Sequence, residues 1–194
     1  MGKIEYYSKS EIAKIRKSAH LVARTLKYLS SFIDPGISTQ ELDDLAKNYI
    51  VKNGGIPAFY KYNGFPSNIC ISINEEVVHG IGSMDRKLHN GDIVSVDVGV
   101  IIDGFFGDAA HTFPVGVVSE DVKKFLEVSE QSLYEGIKKI TPGNYIGDIG
   151  NAVQTYAEKH LSILFNIILI IISSGTSCPF AVYLFALMPS SLLL

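Results

Sequence analysis

Residues 93–113, IVSVDVGVIIDGFFGDAAHTF, are two strand-like runs rich in Ile, Val and Phe, joined by Asp103-Gly104. An Asp-Gly pair between two apolar runs is a strong signal for a two-residue hairpin, because both loop positions need a positive φ. That loop fixes the register. Ile102 then faces Phe105, Asp97 faces Ala110 and Gly99 faces Asp108. Asp97 and Asp108 fall on one face as diagonal neighbours, roughly 7 to 8 Å apart along the backbone, near enough for both carboxylates to converge on one cation or a pair. His111 has the opposite parity and is expected to point away. Asp97 sits within Ile93-Val94-Ser95-Val96-Asp97-Val98, an apolar setting in which an unpaired carboxylate is costly. Gly99 is expected to leave open space above Asp108 for a bound ion.

On both sides of the hairpin the pattern becomes helical. Ser8 and Glu11 have capping-box spacing, and Ile12, Ile15, Ala19, Val22, Leu26 and Leu29 form one stripe ending before Asp34-Pro35-Gly36. Ser38 and Glu41 repeat the cap, and Leu42, Leu45 and Tyr49 carry a second helix to Gly54-Gly55. A further strand is expected over residues 68–73. After the hairpin, one helix starts near Ser119 and another follows Thr141-Pro142-Gly143 to about His160. An offset of 107 residues lays Pro35-Gly36 on Pro142-Gly143, Leu42 on Ile149, Tyr49 on Tyr156 and Leu26 on Leu133. The order helix, helix, strands, helix, helix therefore reads as one and a half copies of a repeat.

The chain of 194 residues has 17 basic and 20 acidic side chains and a net charge of −3, and its basic residues form no run, which argues against nucleic-acid binding. Two cysteines are too few for a disulfide framework, and the start has no apolar signal-peptide core, so a cytoplasmic protein is expected. The averages conceal a break. Residues 161–194 contain no Asp, Glu, Lys, Arg or His. We divide the chain into a mixed, charged part, 1–160, and an uncharged apolar tail, 161–194, read as a frameshift or read-through product. The apolar run 161–172 is shorter than the roughly 20 residues needed to span a bilayer, so membrane association is a weaker reading of the tail.

The run from Cys70 through Asn74-Glu75-Glu76-Val77-Val78-His79-Gly80, followed by Asn90-Gly91-Asp92, Asp97 and Gly107-Asp108, closely resembles type I methionine aminopeptidases. The resemblance covers about residues 3–160 and implies an α/β (α+β) pita-bread fold of two related halves, here incomplete. It implies an enzyme that removes the initiator methionine, with the N-terminal peptide of nascent proteins as partner and the ribosome left open as a second. Asp97 would ligate one metal and Asp108 would bridge two, Co, Mn, Fe, Zn or Ni, while His79 would hydrogen-bond the substrate and the tetrahedral intermediate. Two such ions polarise the scissile carbonyl and lower the pKa of a bridging water. Phe59, Tyr62, Phe65 and Cys70 fall where the family lines its methionine pocket. His20, His89 and His160 read as surface residues.

The family's second set of strands brings one further ligand histidine, one substrate-contacting histidine and two ligand glutamates, and none of these is present. The resulting expectation is weak metal binding, no peptidase activity, and a monomer or an aggregate, since apolar surface would lie bare. The alternatives are a non-catalytic pita-bread binding module and another metallopeptidase of the same fold, such as a proline-directed one.

Overall fold

The computed structural model describes residues 6–160, and the tail beyond His160 lies outside them. The chain divides into two compact units, one reaching Gly116 and one beginning at Val117.

The first unit opens with α1 (Lys9–Leu29) and α2 (Thr39–Lys52). Both start with a complete capping box, Ser8 with Glu11 and Ser38 with Glu41, as their spacing predicts. Four antiparallel strands follow: β1 (Ile56–Pro57), β2 (Cys70–Ile73), β3 (Ile93–Ile102) and β4 (Phe105–Pro114). β3 is central. β4 pairs along its full length on one edge, while β2 and β1 share the other, opposite Val94–Asp97 and Val100–Ile101 respectively.

The alternation of β3 separates the two faces of the sheet. Val94, Val96, Val98 and Val100 are fully buried in a core with Leu21, Leu26 and Leu29 of α1 and Leu42 and Ile50 of α2. Burying these branched chains drives helices onto that face. The approach is close. A Cβ added to Gly107 would lie 2.4 Å from the Ala19 nitrogen, so only glycine lets β4 meet the α1 backbone. The same closeness corrects the expected stripe on α1. Ser18 and Thr25 are buried, with Ser18 Oγ donating to the Phe105 carbonyl at 2.8 Å, and Ile12 is 45% exposed. Small side chains fill the contact line, so the buried face is rotated toward Ser18, Leu21 and Thr25.

The second unit, as far as it is described, pairs α3 (Glu120–Ile137), capped by Ser119, with α4 (Ile146–His160). Val153 and Ile149 of α4 lie against Gly136 of α3, where an added Cβ would meet Val153 Cγ2 at 2.7 Å. The repeat is visible in the helices. Thr39, which starts α2, moves under the offset of 107 onto Ile146, which starts α4. Gly36 and Gly143, matched by that offset, adopt φ of 100° and 96°, so the two Pro-Gly turns share a left-handed backbone.

Candidate metal and substrate site

The register of the hairpin is the one that its loop dictates. Asp103 and Gly104 have φ of 52° and 80°, and the ladder pairs Asp97 with Ala110 and Gly99 with Asp108. Asp97 and Asp108 therefore share the sheet face opposite the valine core. His111, paired with Val96, lies on the helix-packed face with its ring edge-on to Phe113 at 4.4 Å, away from both carboxylates.

The two carboxyls meet. Asp97 and Asp108 are joined by a side-chain hydrogen bond wherever one of them holds a proton. Burial pushes the Asp108 carboxyl up to about 6, against the effect of that bond, and its Oδ1 is enclosed without accepting a hydrogen bond. A buried acid pair with an unused acceptor oxygen fits a divalent cation in the proton's place, because hard carboxylate oxygens are the donors such cations take. Among the described residues no group of three His, Cys, Asp or Glu converges to hold a metal.

Cys70 completes the row, paired with Asp97 from the other edge of β3. Burial first, and then the neighbouring charges of Asp97 and Asp108, push its thiol up to about 12. It stays protonated at neutral pH, which makes it an apolar wall rather than a nucleophile or thiolate ligand. The next row is hydroxyl-lined: Ser72 pairs with Ser95, and Ser95 Oγ and Thr112 Oγ1 are 2.8 Å apart.

The space above Gly99 is filled. A Cβ there would lie 2.5 Å from Phe59 Cε1 and 3.0 Å from the Ala58 Cβ, so the glycine accommodates the Phe59 ring instead of the open space expected for an ion. The ring is brought in by the chain that follows β1, where the Ala58 nitrogen donates to the Gly99 carbonyl at 2.9 Å. Phe59 thus abuts Gly99, the residue directly opposite Asp108. Tyr62 begins a 3₁₀ turn, Tyr62–Gly64, entered through Lys61 at φ 66°; Tyr62 is exposed and Phe65 half-buried.

His79 stands at the free edge of β2. The Gly80 carbonyl accepts from the Ile71 nitrogen at 2.9 Å, and the Gly80 nitrogen donates to Ser72 Oγ at 3.1 Å. An added Cβ at Gly80 would lie 2.0 Å from the Ile71 oxygen, so the His-Gly pair is needed for this approach. His79 itself has a φ of 63°, and its exposed ring lies one strand away from Asp97.

Two positioning residues escape a reading by motif. Asp43 of α2, 2% exposed, accepts from the nitrogens of Asn68 and Ile69 at 2.8 and 2.9 Å and from the Asn68 amide at 2.5 Å, anchoring the entry to Cys70. Burial raises its carboxyl above the usual range despite these bonds. Its spacing to Ala46 and Ile50 places it on the buried helix face, a signal present in the sequence. Arg86 binds the carbonyls of Ile81 and Ile71 and the carboxylate of Glu76, which also accepts from the Ile73 nitrogen, tying both ends of the His79 loop to β2. No local pattern marks that clamp. His20, His89 and His160 are exposed; His89 stands 3.7 Å from Asp92, and His160 Nδ1 is 2.7 Å from the Tyr156 carbonyl.

Residues 13–177 match metallopeptidase family M24, a span that continues past the composition break at His160. The chain is 49% identical over 149 residues to methionine aminopeptidase 1 of Bacillus subtilis, covering 77% of this chain and 60% of that protein. It is 51% identical over 158 residues to the methionine aminopeptidase of Borreliella burgdorferi, covering 81% and 62%. The crystal structure of methionine aminopeptidase from Rickettsia prowazekii is similar with a TM-score of 0.79 at 40% identity, over 81% of this chain and 63% of that one. The chain thus spans about three fifths of the relatives it matches.

Proposed function

Because the chain belongs to metallopeptidase family M24, we propose that its Asp97–Asp108 face is one half of a two-metal centre whose whole form removes the initiator methionine from nascent proteins. The buried carboxyl pair, brought onto one sheet face by the hairpin register with an unused acceptor oxygen on Asp108, supports this reading most directly. Asp97 would bind one ion and Asp108 would bridge to a second. Divalent ions, when bound, supply Lewis acidity and a water deprotonated at neutral pH. Carboxylate ligands alone leave Co, Mn, Fe, Zn and Ni as choices.

The remaining residues act on the peptide. The Cys70 thiol and the Phe59 ring give an apolar wall beside the acid pair, suited to a thioether side chain. Tyr62 and Phe65 extend that wall along the same loop. His79, held by the Gly80 contact, offers its imidazole to the substrate from the neighbouring strand. The setting is cytoplasmic, where nascent chains with free N-termini are found.

This chain by itself binds divalent metal weakly and does not turn over. Two aspartates cannot complete a two-metal shell, and residues 161–194 add no His, Asp or Glu. The test is methionine release from a Met-Gly peptide by the purified chain with Co²⁺ or Mn²⁺, read beside Mn²⁺ titration of the wild type and Asp108→Asn. Turnover above a blank overturns the inactivity. Mn²⁺ affinity unchanged by Asp108→Asn overturns the half-site.

A further inference from the structure

The outer face of α1 carries a charge pattern that no basic run in the sequence announces. The helix holds six basic residues and one acid, Glu11, which is engaged in the capping box; that is a net +5 in a chain of −3. Lys9, Arg16, His20, Arg24 and Lys27 follow one another at spacings of 7, 4, 4 and 3 residues, and all are exposed. At 3.6 residues per turn these positions lie in a nearly straight line, opposite the buried Leu21, Val22 and Leu29, and the rise of a helix makes that line roughly 27 Å long. Lys17 flanks it, and no acidic side chain of α1 interrupts it.

We infer that this face docks the phosphate backbone of a nucleic-acid duplex. A duplex presents about one negative charge per 1.7 Å of its axis, so a straight cationic line faces complementary charge along its whole length. A membrane surface fits less well, because binding there needs an apolar flank to insert and Ile12 is the one large apolar side chain exposed on α1. The contacts reach phosphates alone, so binding is independent of sequence and equal for RNA and DNA. This inference is separate from the peptidase reading, since α1 meets the sheet through its other face.

The experiment is fluorescence anisotropy of labelled RNA and DNA duplexes of about 20 base pairs, titrated with the full chain between roughly 50 and 200 mM KCl. Five lysine and arginine contacts predict a slope of log K against log salt near −4.5, about a 500-fold loss over that range. Arg16→Gln, Arg24→Gln and Lys27→Gln combined should weaken binding at least tenfold at the lower salt and reduce the slope by about 3. A control that removes the same charge elsewhere, Lys47→Gln, Lys52→Gln and Lys87→Gln, should leave most of the affinity. All six residues changed in the helix variant and its control are exposed, and equal melting temperatures verify the folds. No binding, or equal losses in both triple variants, overturns the inference. So does stripe-dependent capture by phosphatidylserine vesicles or an oligoglutamate peptide without any by the duplexes.

Discussion

Replacing Asp108 by asparagine removes the charge that the hairpin buries. An aspartate in the unfolded chain titrates near 3.8, whereas burial pushes Asp108 in the native protein up to about 6. Between those values the native state holds a proton that the unfolded state has lost. Stability from this group is therefore fully present below the lower value and is lost as pH rises through the upper one. A shift of about two units, at 1.36 kcal/mol each, makes that loss on the order of 3 kcal/mol. Asparagine does not titrate, so Asp108→Asn should gain on the wild type by about this amount between about pH 4 and about pH 7. The assay is urea unfolding followed by far-ultraviolet circular dichroism in a chelating buffer, with both proteins measured at each pH. Shifted groups remote from the pair, such as Asp43, are common to the two proteins and cancel in the difference. Saturating Mn²⁺ at neutral pH should then nearly cancel the difference. It stabilises only the protein that binds it, by about 2.7 kcal/mol at a hundredfold excess over Kd. Parallel pH profiles for the two proteins would refute the buried pair and the argument built on it.

Gly80→Ala forces a carbon to within 2.0 Å of the Ile71 oxygen, and because the obstacle is backbone it should cost more than about 3 kcal/mol in thermal unfolding. Gly99→Ala meets the movable Phe59 ring and should cost less, about 1 to 2 kcal/mol, with Phe59 resonances shifted by NMR. Asp43→Ala leaves the buried nitrogens of Asn68 and Ile69 without their acceptor and should destabilise by about 2 to 4 kcal/mol in urea. Arg86→Ala should change global stability by no more than about 1 kcal/mol, because the Glu76 pair is partly exposed, yet increase proteolytic nicking around residues 74–82.

What the sequence disclosed was whatever depends on short-range geometry. The Asp-Gly loop set the register of ten cross-strand pairs and put Asp97 and Asp108 on one face, and the two capping boxes marked both helix starts in the first unit. The Cys70–Gly80 run, taken in order with Asp97 and Gly107-Asp108, identified the family that the match over residues 13–177 shows. Contacts between distant segments were harder to read. Nothing near Gly99 announces that Phe59, forty residues earlier, fills the space above it, and nothing near Ile12 tells that the helix turns its serine and threonine inward. Two-residue β1 was missed because Ile56-Pro57 has no alternation to display, and proline is an ordinary edge-strand residue only once the edge is known. The basic stripe on α1 is hidden for a different reason: its residues recur at helical spacing and form no contiguous run.

The Asp103-Gly104 turn has a kinetic consequence. Asp97 and Asp108 are eleven residues apart and meet through a two-residue loop, so bringing them together requires almost no long-range chain closure. Hairpins of this kind form in about 1 to 10 μs. The valine face must still await α1, which contacts β4 across the 87 residues between Ser18 and Phe105. The acid pair is therefore assembled by local zippering, while the core behind it is assembled by slower, high-contact-order encounters. A cation present during synthesis would find its two carboxylates in place as soon as β4 emerges, and by holding them would act as a template that favours the hairpin before the rest of the unit has folded.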